Sequence, residues 1–217
     1  LYATEEYKAK ARELVTFHFD HIRSFTKDLF TLFEEKVVLA QGELISTGMM
    51  NLYLKELGVN SVLLPALDFM RTDKNAEPDP VYIKEKLTRL LEENAEADLY
   101  ITQGYICRNA YGEIDNLQRG GSDYTASLIG AAIKAEEIQI WTDIDGMHNN
   151  DPRFVKGTSP VRHLHFEEAA ELAYFGAKIL HPTCILPAKI NNIPVRLLNT
   201  MQPDAPGTLI SNATEKG

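Results

Sequence analysis

Between Gln118 and Ala132 the chain reads QRGGSDYTASLIGAA, with Arg119 before two glycines and Ser122–Asp123 ahead of an apolar helical run. Gly120 and Gly121 open backbone angles closed to other residues. Ser122 or Asp123 is of a type that caps helix N-termini. Such a terminus offers N–H groups and the positive end of a dipole to an anion. The segment suits a phosphate or carboxylate site, and equally a plain capped turn, because Gly-Gly pairs also occur in ordinary loops. Arg119 is placed either to clamp a carboxylate with two parallel hydrogen bonds or to stand solvated at the surface.

Other reactive types recur where predicted strands end. Gly42-Glu43, Gly104-Tyr105, Thr142-Asp143 and Asp151-Pro-Arg153 follow apolar runs, and ligands of open α/β sheets bind beyond the C-terminal ends of the strands. Glu43 would bind an ammonium group or support a helix N-terminus. Lys178, between Ala177 and Ile179, would reach phosphates or snorkel. His148, His163, His165 and His181 lack metal-ligand spacing, and Asp143, Asp145 and Asp151 lack that of a calcium loop. Cys107 and Cys184 form no CxxC pair and read as two buried, reduced thiols.

The elements that must carry these residues follow from periodicity. Apolar residues at three- to five-residue steps predict a helix over 4–35. A short strand is expected over 36–43, a helix over 43–57 closed by Gly58, and a strand over 60–66. A polar, proline-bearing loop (70–80) precedes a charged amphipathic helix over 80–94. A strand over 98–107 leads to a hairpin tip at 109–115, a helix over 123–135, a strand over 137–143 and a turn at 143–146. Residues 148–160 read as loop, 166–180 as helix, 182–191 as a shorter helix and 193–199 as strand. Strands alternating with helices predict one α/β domain on a largely parallel sheet, its strands apolar throughout and covered on both faces.

Composition narrows the classes. Of 217 residues, 44% are hydrophobic and 24% charged, the balance of a globular protein with one substantial core. The formal net charge of −9 and the lack of a basic patch argue against a nucleic-acid partner. No apolar run approaches membrane-spanning length. No GxGxxG follows a strand, which disfavours a dinucleotide-binding fold.

Taken in order, TQGYI (102–106), RGGSDYTASL (119–128), IWTDIDG (140–146), DPR (151–153) and FEEAAELAYFGAKILHP (166–182) resemble the catalytic domain of the aspartokinases, within the amino acid kinase family. The likeness runs from about Val37 to the strand near Leu209. It implies a three-layer αβα sandwich on a mainly parallel sheet. It also implies transfer of the γ-phosphoryl of ATP, with Mg²⁺ carried by the nucleotide, to the side-chain carboxylate of L-aspartate. The product would be 4-phospho-L-aspartate, at the head of lysine, threonine and methionine synthesis. By this resemblance Arg119 clamps the aspartate α-carboxylate with Ser122, Gly120 and Gly121 beside it. Glu43 partners the α-amino group, and Tyr105 packs on the amino acid. Asp123 organises the cationic groups around the phosphoryl, with Lys178 as a second catalytic group. Thr142, Asp143, Met147, His148, Asp151, Arg153 and Lys178 fall at nucleotide-binding positions. A cytoplasmic protein without nucleic-acid or membrane partners, homo-oligomeric at full length, is implied as well.

The chemistry fits such a site. A carboxylate of pKa about 4 is ionised at neutral pH, so no general base is required. The difficulty is bringing one anion against another, and positioning, Mg²⁺ and fixed cations supply the catalysis. Acetylglutamate and glutamate kinases are the neighbouring alternatives, and a non-catalytic module the distant one. The family's opening strand with its KFGGTS-like segment has no counterpart before Val37, and no regulatory ACT domain follows Gly217. His148 stands where a tyrosine is common, and Gln118 where glycine is usual. The expectation is an N-terminally truncated catalytic fragment, weakly active or inactive by itself.

Overall fold

The computed structural model describes residues 1–27, 29–118, 120–150, 154–175 and 180–213. The chain forms two compact units, Leu1–Leu117 and Gln118–Gly217. Among the described residues no helix is long and apolar enough to cross a membrane.

The first unit opens with helix α1 (Glu5–Ser24), capped by Thr4, whose hydroxyl accepts from the Tyr7 amide. Helix α2 (Leu32–Glu56) starts at a capping box between Thr31 and Glu34, each side chain satisfying an orphan amide of the other's turn. The helices run antiparallel. Thr4 donates through its amide and hydroxyl to Glu56 at the far end of α2, and the Tyr2 hydroxyl donates to Met49 O. They approach closely at Gly48, where an added Cβ would lie 2.8 Å from Leu14 Cδ2. The expected helix over 4–35 is therefore two helices, the first ending at Ser24 and the second starting at Leu32.

Residues 36–43, expected as a strand, lie inside α2. The run Val37–Ala40 is apolar enough to suggest a strand, but Val37, Ala40, Gln41, Gly48 and Asn51 are buried while Leu39 is exposed, which is the helical period. The Thr31–Glu34 box had already started the helix upstream. Buried Gln41 is satisfied within it: its Nε2 donates to Val37 O, and its Oε1 meets His18 Nδ1 of α1 at 2.7 Å.

Strand β1 (Ser61–Leu63) pairs parallel with β2 (Leu99–Ile101). Between them come the short helix α3 (Ala66–Phe69) and helix α4 (Pro80–Glu93), the latter where expected, with Asp79 capping and Pro80 in the first turn. The expected strand over 98–107 is divided. After β2 the chain turns, and β3 (Ile106–Arg108) pairs antiparallel with β4 (Ile114–Asn116) in the anticipated hairpin. Asn109 holds its tip, its Oδ1 accepting from the amides of Tyr111 and Glu113. Phe69, Met70, Ile83, Ile106 and Cys107 are almost fully buried, at roughly 1.5–3 kcal/mol for each large apolar side chain. Burial, with the Asp115 carboxylate adding to it, pushes the Cys107 thiol up to about 12, an inert buried thiol.

The second unit holds helix α5 (Gly121–Ile133), strand β5 (Ile138–Thr142), strand β6 (His163–His165), helix α6 (Phe166–Phe175), a 3₁₀ turn at Pro182–Ile185, helix α7 (Leu186–Ile190), and strands β7 (Val195–Asn199) and β8 (Thr208–Ser211). The remainder of the helix expected to 180 lies largely outside the described residues. The sheet order is β5-β7-β8-β6. β5 pairs parallel with β7, and β6 with β8, while β7 and β8 are antiparallel. The architecture is α/β. β5 buries Ile138 and Ile140 but exposes Gln139 and Trp141, so coverage on both faces does not hold for this strand. The core gathers Ile140, Met147, Phe166, Val195, Leu197 and Ile210.

Candidate functional site

In the first unit the break after β2 positions Tyr105. Buried Gln103 accepts from the Ala66 amide at 2.8 Å and donates to Thr47 Oγ1 at 2.9 Å. That tie joins the strand end to α2, one helical turn beyond Glu43. Tyr105 follows with φ +70, unusual for a bulky residue and a mark of a locally constrained site. The Leu117 amide donates to Tyr105 O. Glu43 is half-buried on a helix interior, not at a strand end as expected. Replacing Gln103 by Leu strips the buried Ala66 amide of its acceptor, which should cost about 2 kcal/mol, read as a lower urea midpoint at unchanged m-value.

In the second unit α5 begins without a side-chain cap. Its N-cap is Gly120 in the left-handed conformation, φ +83, and Ser122 and Asp123 lie within the first turn instead of capping it. The reason is steric. An added Cβ at Gly120 would fall 1.7 Å from Cys184 Sγ, so the chain passes against the 3₁₀ turn where only glycine fits. Gly120 O accepts from the amides of Asp123 and Tyr124. Ser122 is exposed and Asp123 partly buried. Burial raises the Asp123 carboxyl above its ordinary value. Burial, and secondarily the Asp123 charge, pushes the Cys184 thiol up to about 11. The backing by Cys184 and His181 was not legible in the sequence, since they lie some sixty residues downstream of Gly120.

The end of β5 carries the other expected group. Thr142 Oγ1 accepts from the Ile144 amide at 3.1 Å, and Thr142 O from the Thr200 amide at 2.8 Å. Asp143 is exposed. Asp145, weighed in the sequence only against the spacing of a calcium loop, makes a two-pronged pair with Arg162 at 3.0 and 2.9 Å. The guanidinium hydrogen bonds hold its carboxyl below the usual range. This pair fixes the turn leading to Met147, whose side chain is fully buried. The Met147 amide donates to Thr208 Oγ1, and its carbonyl accepts from the Val161 amide, so its side chain serves the core while its carbonyl keeps a second lone pair. His148 Nδ1 lies 3.0 Å from Thr158 Oγ1. Arg119, Asp151, Arg153 and Lys178 lie outside the described residues.

The first unit thus carries Glu43 on α2 and Tyr105 after β2, and the second carries Gly120–Asp123 at the start of α5 and Thr142–Asp143 at the end of β5. A helix that opens at a left-handed glycine without a side-chain cap turns the positive end of its dipole toward anionic groups, and the Asp123 carboxylate in its first turn favours a ligand that brings cations with it. Residues 3–199 match the model of the amino acid kinase family, and the chain belongs to that family. It is 40% identical over 181 residues to lysine-sensitive aspartokinase 3 of Escherichia coli K12, spanning 82% of this chain and 40% of that protein. It is 38% identical over 194 residues to chloroplastic aspartokinase 3 of Arabidopsis thaliana, spanning 85% of this chain and 34% of that protein. The solved E. coli aspartokinase III in complex with aspartate and ADP superposes with a TM-score of 0.87 at 36% identity, covering 94% of this chain and 47% of that one. The chain therefore spans less than half the length of these relatives.

Proposed function

We propose that this chain is the catalytic region of an aspartate kinase, transferring the γ-phosphoryl of ATP to the β-carboxylate of L-aspartate. The observation that carries this reading is the likeness, across 94% of the chain, to an aspartokinase solved with aspartate and ADP. A β-carboxylate oxygen attacks the γ-phosphorus. The bond from that phosphorus to the bridging oxygen breaks, and ADP leaves with the electron pair. The attacking carboxylate is already ionised, so no proton moves. Mg²⁺ carried by the nucleotide neutralises phosphate charge. Arg119 and Ser122 hold the α-carboxylate beside the Gly120–Gly121 backbone, Glu43 the α-amino group, and Tyr105 the side-chain methylene. Asp123 orders the cations around the phosphoryl, among them Lys178. Thr142, Asp143, His148, Asp151 and Arg153 face the nucleotide. The product, 4-phospho-L-aspartate, would enter lysine, threonine and methionine synthesis in the cytoplasm, with the full-length protein a homo-oligomer.

The test is calorimetric titration with L-aspartate and then L-glutamate, each with Mg²⁺ and a non-hydrolysable ATP analogue present. Heat from aspartate with glutamate silent is the expected result. Heat from glutamate in place of aspartate overturns the reading. Arg119→Lys should weaken aspartate binding roughly tenfold, since lysine lacks the two-pronged fork, while leaving nucleotide affinity unchanged. Equal aspartate affinity in the variant would remove Arg119 from its role.

A further inference from the structure

Away from these residues, Arg71 and Arg108 stand directly opposite one another in a parallel β-bridge. The Arg108 amide donates to Met70 O and the Thr72 amide to Arg108 O, both at 2.9 Å. Both arginines line a cavity of about 230 Å³ with Leu67, Met70, Tyr82 and Tyr111. Arg71 Cζ lies 4.8 Å from the centre of the Tyr82 ring, and Lys86 Nζ lies 5.6 Å from it.

The arginines are oriented but not neutralised. Arg71 Nη2 donates to Ala110 O. Arg108 donates through Nε to Leu67 O and through Nη1 to Gly112 O. Neutral carbonyls hold the two guanidiniums in place without cancelling charge, and each guanidinium carries five N–H donors. Among the described residues neither arginine pairs with a carboxylate. Neighbouring acids are engaged elsewhere: Asp79 accepts from the Tyr82 amide, Glu113 from Asn109 Nδ2, and Glu85 pairs with Lys86. Like charges placed opposite each other on paired strands destabilise the pairing, and this pair occurs in a chain of net charge −9. Planar forks with free donors match the oxygens of a carboxylate or phosphate, and such an anion would relieve the repulsion.

We propose that the cavity between Arg71 and Arg108 is a binding site for a small oxyanion, carboxylate or phosphate, with Tyr82 as its aromatic wall. The site is independent of the aspartate kinase reading. The experiment follows the arginine Nε–Hε and the Ala110 and Gly112 amide resonances of the chain by NMR. Inorganic phosphate and acetate are titrated separately against sodium chloride at matched ionic strength. Saturable shifts at Arg71 and Arg108 are expected with phosphate, acetate or both, and the anion that saturates names the class. Arg108→Gln should weaken that response at least tenfold, and Arg71→Gln serves if the first variant folds poorly. A response identical to that of chloride, or one that never saturates in the wild-type chain, overturns the proposal. So does an Arg108→Gln variant that melts earlier but keeps the same anion response, which would make these arginines tethers of the hairpin alone.

Discussion

Gly120→Ala is expected to destabilise the second unit by about 3 kcal/mol. Two costs add. Alanine at φ +83 carries the left-handed penalty of roughly 1–2 kcal/mol. Its Cβ would also fall 1.7 Å from Cys184 Sγ, and overpacking a buried contact costs roughly 1–3 kcal/mol. The thiol has little room to retreat, because Cys184 is fully buried. Urea unfolding measures the total, and a double-mutant cycle with Cys184→Ala divides it. The steric share should disappear in the double variant, while about 1–2 kcal/mol of backbone strain persists. A Gly120→Ala chain as stable as wild type would mean that α5 does not start at a left-handed residue. The same substitution should abolish aspartate binding in the calorimetric experiment, because it displaces the start of α5, which carries Ser122.

Asp123→Asn is expected to lower phosphoryl transfer by about a hundredfold or more while raising the melting temperature. The first effect follows from its proposed role: a preorganised charge at a transfer site is typically worth 10²–10³ in rate. The second follows from burial. The folded-state pKa of Asp123 is raised because its ionised form is desolvated. A carboxyl raised on folding favours the fold most when protonated, below its unfolded value of about 3.9. That advantage is lost as pH climbs through the raised folded value. At neutral pH the wild-type chain bears a partly buried charge that asparagine does not. The two melting temperatures should therefore converge in acid and separate as pH rises toward neutrality. Such opposition of stability and activity is common at functional sites. A variant melting below wild type at neutral pH would show that the Asp123 charge supports the fold.

Much of this was legible in local chemistry. Pro80 after Asp79 announced α4, and the Asn109–Glu113 segment announced the hairpin, because caps and turns are built from neighbouring residues. The family likeness was equally legible, since RGGSD, WTD and FGAKILHP keep their order and spacing. Residues 36–43 misled because four consecutive apolar side chains satisfy a strand and a helix alike. Only packing of α2 on α1, with Val37, Ala40 and Gln41 turned inward, separates the two. Residues 98–107 misled differently: Leu99–Ile101 and Tyr105–Cys107 are apolar on both sides of Thr102-Gln103-Gly104, and what divides the run is the tie of Gln103 to Thr47 and Ala66, both distant in sequence.

By itself the sequence determined most of the alternation of helices and strands and the family, and it named the side chains proposed to carry the chemistry, because these depend on residue types and short-range spacing. The tertiary structure decided what holds them: Cys184 against Gly120, Gln103 between α2 and the Tyr105 turn, and Arg162 on Asp145. It also decided that Arg71 and Arg108 face one cavity. These are contacts between residues seventeen to more than sixty positions apart, and no local pattern encodes them. They exist only once hydrophobic burial has brought the elements together and each buried polar group has found its partner.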